Sequence, residues 1–190
     1  MNNPARAFLQ RRVMAKWLER LGGRVTGGRG LEVGCGRGAA LGMLRDRFGL
    51  AQLVGIDLDP RMLALAPREE SVALADATGS PFADATFDAV FDFGAIHFIA
   101  PWERALDEVR RVLKPGGRYY FEWVTSPFLR AFYPFATGRF ERMSVPGPEE
   151  LVAALERLGL AVNGRVIRPR TAAAATWLVG DLIGVASVTS

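Results

Sequence analysis

From residue 30 onward the chain alternates short apolar runs with helical patterns, and this alternation limits the possible folds more than any other feature. Strand-like runs at 30–34, 52–57, 72–75, 87–93 and 118–124 are interleaved with helical spacing at 39–48, 60–66 and 102–113. Strands joined through helices run parallel, and the helices then cover both faces of the sheet. An α/β fold is therefore expected. With 49% hydrophobic residues, 190 residues fill one sizeable core, so 1–190 reads as a single domain.

Ahead of this alternation, Phe8, Leu9, Val13, Met14, Trp17, Leu18 and Leu21 recur at helical spacing, with Arg12, Lys16 and Arg20 between them. An amphipathic helix over 4–21 is expected, within an N-terminal section of about residues 1–24 whose charges face solvent. Its basic residues are mixed with the apolar ones instead of preceding an apolar block, so it does not read as a signal peptide and a cytoplasmic location is expected. Pro115 and Gly116-Gly117 end the helical pattern before the 118–124 strand. From 125 to 148 the rhythm breaks. A plain amphipathic helix follows at "PEELVAALERLGL", then strand-like "AVNGRVIR" and "LIGVASV".

The stretch Leu31-Glu32-Val33-Gly34-Cys35-Gly36-Arg37-Gly38 carries three glycines where the first strand turns into a helix. Glycines there let backbone approach a ligand and leave free N–H groups at the helix start. In an open parallel sheet that point, beyond the strands' carboxyl ends, is where ligands bind. Three acids occupy the same edge: Glu32 in the first strand, Asp57 closing the second, and Asp76 after the third. An acid ending the second strand is placed to accept from both hydroxyls of a ribose. Asp76 suits an adenine amino group and Glu32 a ligand ammonium.

These features disfavour a nicotinamide dinucleotide. Its pyrophosphate turn is G-x-G-x-x-G, whereas here the third glycine comes one place early, and two further carboxylates would repel a pyrophosphate. One cysteine and one histidine supply neither a disulfide framework nor a metal-ligand cluster, so no metal is expected. The formal charge of +4 is scattered rather than gathered in a stripe with aromatics, which makes nucleic acid an unlikely partner. The most apolar segment, Ala172 to Val188, contains Asp181 and is shorter than the ~20 residues of a spanning helix. It reads as a closing helix and strand of the core.

Taken in order, "LEVGCGRG", "VGIDLDPRML", "ADATGSPFADATFDAVF" and "ALDEVRRVLKPGGRYYF" resemble the successive motifs of class I S-adenosylmethionine-dependent methyltransferases. They are most similar to the group around the ubiquinone and menaquinone C-methyltransferases (methyltransferase type 11). The resemblance spans residues 29 to about 124. It implies a three-layer Rossmann-like sandwich with a seven-stranded, mostly parallel sheet whose last strand is antiparallel. It also implies S-adenosylmethionine as cofactor, with S-adenosylhomocysteine as product. Gly34, Cys35, Gly36 and Gly38 would line the methionine moiety, Cys35 as a small filler of the turn. Glu32 would lie near the amino group, Asp57 on the ribose, Leu58 and Met62 against the adenine, Asp76 and Ala77 at its edge, and Phe93 near the methionine part. Leu58, Met62 and Phe93 have a second reading as core residues.

The Asn/Asp-Pro-Pro-aromatic motif of enzymes that methylate base amino groups is replaced by "DFGAIHFIAPW". A small, apolar or aromatic acceptor is therefore the expected class. Methylation of protein or nucleic acid, or a catalytically silent cofactor-binding module, are the alternatives. His97 is the one candidate catalytic residue: either a general base or a packing histidine. The 125–148 segment holds Phe128, Phe132 and Tyr133 among its aromatics. It is either a lid that contacts the acceptor or a segment packed on the core.

Overall fold

The computed structural model describes residues 4–123, 146–167 and 182–189. In chain order these form α1 (Pro4–Gly22), β1 (Arg29–Val33), α2 (Leu41–Phe48), β2 (Gln52–Asp57), α3 (Pro60–Leu63), β3 (Ser71–Leu74), β4 (Phe87–Phe93), a 3₁₀ turn (Ile96–Phe98), α4 (Trp102–Val112), β5 (Leu113–Trp123), α5 (Pro148–Arg157), β6 (Leu160–Ile167) and β7 (Leu182–Val188). The described strands make one seven-stranded sheet in the order β3-β2-β1-β4-β5-β7-β6. The pairs β3–β2, β2–β1, β1–β4 and β4–β5 are parallel. β7 runs antiparallel to both β5 and β6, as the resemblance implied.

Alternate side chains of each strand feed two cores. Leu31 and Val33 of β1, Val90 of β4 and Tyr119 and Phe121 of β5 meet α4 (Trp102, Ala105, Leu106, Val109) and α5 (Leu151, Leu155). Ala89, Phe91, Phe93 and Tyr120 point the other way and meet α1 (Met14, Ala15, Leu18) and α2 (Leu41, Leu44, Phe48). The Phe48 ring stands edge-on to Phe91 at 4.7 Å and to Tyr120 at 4.9 Å, a geometry in which ring edges meet ring faces. In α1, Met14, Ala15 and Leu18 are buried while Arg12, Lys16 and Arg20 are exposed, so the charge run is a solvated face.

Three boundaries depart from expectation. The 60–66 helix keeps only Pro60–Leu63; beyond it the amides of Leu65 and Ala66 bond three residues back, a tightening that ends at Pro67. The 39–48 helix begins at Leu41, because Gly38 is still in the turn. Lys114 to Gly117 are not a connector ahead of a strand at 118. β5 already pairs at Leu113↔Phe87, and its register shifts before Arg118↔Ala89, so these residues form an irregularity inside β5 with Gly116 at φ +72°.

The chain runs outward from β1 to β2 and β3, then returns to β4 on the other side of β1. Strand order therefore reverses between β1 and β4, and the crevice lies beyond Val33 and Phe93.

Candidate functional site

At that crevice Gly34, Gly36 and Gly38 have φ of +69°, +60° and +65°, left-handed values that side chains disfavour. The first two glycines serve different ends. A Cβ on Gly34 would overlap the methyl of Ala95, so this glycine lets the loop after β4 close onto the loop after β1. At Gly36 a Cβ would meet, among the described residues, only the terminal methyl of Met62 at 3.6 Å. Its backbone therefore faces an open cradle. Cys35 is buried, and its amide bonds Ile56 O at 3.0 Å, extending the β1–β2 pairing into the turn.

The acid ending β2 holds this turn. Asp57 Oδ2 accepts from Gly36 N at 2.8 Å, and Oδ1 accepts from Asp59 N at 2.9 Å. One carboxylate thus ties the glycine turn to the start of α3, which Asp59 caps by accepting from Arg61 N at 2.9 Å. Each carboxylate oxygen can accept more than one hydrogen bond, so capacity is left for a pair of hydroxyls.

The three predicted acids form a staircase. Glu32 is paired with Gly55, so Asp57 lies 57 − 55 = 2 residues beyond its level; Asp57 is paired with Leu74, so Asp76 lies 76 − 74 = 2 residues beyond that. Each step is about 6.6 Å along the strands. Glu32 is fully buried on the α1/α2 face, whereas Asp57 is half-buried and Asp76 exposed. Asp76 Oδ1 accepts from Thr78 N and Oγ1, each at 2.8 Å, and the backbone bond to Thr78 leads in holding its carboxyl below the usual range. The neighbouring Ala77 packs against the α4-side core.

The apolar candidates separate. Leu58 is 67% exposed immediately after Asp57, which removes its reading as a core residue. Met62 is half-buried beside Gly36. Phe93 is buried, with its ring parallel to Phe91 at 6.4 Å.

His97 is 2% exposed, and its ring lies 4.0 Å from Phe98 and 5.8 Å from Trp123, centroid to centroid. Burial pushes its pKa down to about 3. Such an imidazole is neutral at ordinary pH and weak as a base. Phe128, Phe132 and Tyr133 lie outside the described residues, as do residues 172–181 of the apolar tail.

Asp92 belongs to the site although sequence reasoning passed over it. It is fully buried on the α4 face; Oδ1 accepts from Ala95 N at 2.7 Å and Ile96 N at 3.3 Å, and Oδ2 accepts from Tyr119 Oη at 3.2 Å. It therefore pins the loop that presses Ala95 onto Gly34. The available signal was an acid between Phe91 and Phe93 in an otherwise apolar strand end.

Among the described residues no group of three or more His, Cys, Asp or Glu side chains is placed to hold a metal ion, and no described helix is long and apolar enough to cross a membrane.

Residues 31–121 match the profile of the methyltransferase domain family. The demethylmenaquinone methyltransferase of Thermus thermophilus is 36% identical across 80% of this chain and 81% of its own length. A fatty-acid O-methyltransferase of Mycolicibacterium smegmatis is 36% identical across 51% of this chain, which spans only 37% of that enzyme. Among solved structures, an S-adenosylmethionine-dependent methyltransferase from Mesorhizobium loti superposes with a TM-score of 0.72 at 20% identity, over 91% of this chain and 97% of that one.

Proposed function

Since the chain belongs to the class I S-adenosylmethionine-dependent methyltransferases, we propose that it methylates a small molecule with an apolar or aromatic body. The cofactor supplies a methyl group on a sulfonium, a good leaving group that departs as a neutral thioether.

The observation that carries the site assignment is the Asp57 carboxylate bonded to Gly36 N in front of an open glycine cradle. In this reading Asp57 receives the ribose hydroxyls, and the backbone of Gly34 to Gly38 lies along the methionine moiety. Leu58 and Met62 cover the adenine, with Asp76 and Ala77 at its edge. Glu32 and Phe93 border the methionine end. These residues fit the group: the carboxylate has lone pairs to spare, a side chain at Gly36 would meet only Met62 among the described residues, and Leu58 presents an exposed apolar side chain next to Asp57.

The chain's part in catalysis is then to orient two reactants and to exclude water around a displacement that needs little acid–base help. The acceptor class rests on the names of the relatives, which act on demethylmenaquinone and on fatty acids, both largely apolar bodies bearing oxygen. Phe128, Phe132 and Tyr133 have the sequence character to contact such a molecule.

The test is methyl transfer from labelled S-adenosylmethionine to a panel of quinols, phenols and fatty acids, set beside peptide and oligonucleotide acceptors. Label appearing in the first group supports the reading. Transfer only to peptide or nucleic acid would overturn it.

A further inference from the structure

Among the described residues, three ring nitrogens at the carboxyl end of the sheet are buried without a hydrogen-bond partner: Nδ1 and Nε2 of His97 and Nε1 of Trp123. The two rings lie 5.8 Å apart and are tilted by 59°. Natively folded chains rarely leave buried polar atoms unpaired, so each of these rings calls for a partner.

Their position links them to the reacting end of the crevice. Ala95 packs on Gly34, the first glycine of the cofactor turn. Gly94, just before Ala95 and at φ +78°, lies against His97, whose Cε1 is 3.1 Å from where a Gly94 Cβ would stand. From His97 the contact passes to Trp123, the last residue of β5, whose ring also meets Trp102 at 5.9 Å. The pair therefore sits across the β4 loop from the glycine turn.

We propose that His97 and Trp123 form a neutral hydrogen-bonding subsite that receives a hydroxyl or carbonyl oxygen of an aromatic acceptor. This rests on the reading of the acceptor as a small apolar or aromatic molecule. The donor set selects the chemistry. An indole N–H only donates, and a neutral imidazole offers one donor and one acceptor. A carbonyl oxygen can take both donors; a hydroxyl can take one and give its proton to the imidazole. The rings in contact with the pair, Phe98 on His97 and Trp102 on Trp123, give it an aromatic neighbourhood that suits a flat apolar body. An anion is disfavoured, because the Asp92 carboxylate is bonded to the amide of Ile96, the residue next to His97. In this arrangement His97 positions the acceptor oxygen and is not required to remove a proton in advance.

The experiment follows the indole N–H signals of the chain's four tryptophans in nitrogen-15-labelled protein saturated with S-adenosylhomocysteine, with Trp123→Phe identifying the relevant signal. The probes are 2-naphthol and naphthalene, which share a ring system and differ by one hydroxyl. The expected result is binding of 2-naphthol roughly tenfold tighter than naphthalene, the worth of one or two hydrogen bonds, with a downfield shift of the Trp123 indole proton. His97→Phe should erase most of that preference. Equal binding of the two probes with an unmoved Trp123 signal overturns the subsite and leaves the acceptor reading standing. So does a Trp123 indole proton already protected from exchange and unmoved by 2-naphthol, since its partner would then lie within the protein. If neither probe binds although calorimetry shows S-adenosylhomocysteine bound, the acceptor reading fails and the subsite with it. The wild-type titration decides these outcomes even if His97→Phe does not fold.

Discussion

Asp57 Oδ2 and the backbone N–H of Gly36 are 2.8 Å apart, so the carboxylate assigned to the ribose is also the clamp that shapes the glycine turn. The two roles predict a compound effect for Asp57→Ala. Loss of charge-assisted hydrogen bonds of about 1.5–3 kcal/mol corresponds to a roughly ten- to hundredfold fall in S-adenosylhomocysteine affinity. The melting temperature should fall as well, because Gly36 N and Asp59 N lose their acceptor. Calorimetric titration beside thermal melts checks both, and unchanged affinity in a folded variant would remove Asp57 from the ribose.

Gly34→Ala should be more damaging than Gly36→Ala. Both place a side chain at positive φ, at a cost of about 1–2 kcal/mol. Only the first also drives a methyl into Ala95, whereas the second meets Met62 at an ordinary 3.6 Å. The double variant with Ala95→Gly should recover the part of the Gly34→Ala loss due to overlap and leave the φ cost. Chemical denaturation of the four proteins tests this. Equal losses for the two single variants, with no recovery, would show that Ala95 is not what Gly34 accommodates.

What was legible in the sequence followed from periodicity. Strand and helix alternation identifies a parallel sheet because it reports which faces are buried, and a glycine turn with strand-end acids reports where a ligand docks. Periodicity does not report which buried polar atoms find partners, since that depends on elements far apart in the chain. Asp92 was passed over for this reason: its partners Ala95 and Ile96 are local, but Tyr119 arrives from β5. Likewise Trp123 meets His97 only once β4 and β5 are adjacent. Leu58 shows the converse. An apolar residue after a buried strand reads equally as core and as ligand contact, and only its 67% exposure separates the two.

His97 predicts a pH dependence of stability. Its pKa of about 3 in the folded chain lies below the 6.5 of an unperturbed histidine, so between these values the unfolded chain binds the extra proton. Stability from this residue is therefore fully present above about pH 6.5 and is lost as pH falls, by up to about 1.4 kcal/mol per pH unit. Denaturation curves at pH 7.5 and 5 should differ more in the wild type than in His97→Phe. A His97→Phe variant with the same pH slope would show that the imidazole is not buried in its neutral form.

The last prediction concerns Asp92, which holds the β4 loop through two backbone amides and Tyr119. Asp92→Ala strands three donors at once, those of Ile96 and Tyr119 buried and that of Ala95 part-buried, and removal of one member of such a buried charged cluster costs on the order of 3–5 kcal/mol. Tyr119→Phe takes away a single donor and leaves the carboxylate on Ala95 N and Ile96 N, so it should cost only about 1 kcal/mol. The phenol is bonded to a carboxylate, and burial together with that neighbouring charge holds its pKa well above the usual value, so it stays a donor throughout. The variants should also separate in function. Asp92→Ala frees Ala95 from its place against Gly34 and should weaken S-adenosylhomocysteine binding as well as stability, whereas Tyr119→Phe should leave binding nearly intact. Urea unfolding and calorimetry on the same preparations make the comparison. An Asp92→Ala variant that keeps wild-type stability and cofactor affinity would show that the loop after β4 is held in place by its packing on Gly34, without the carboxylate.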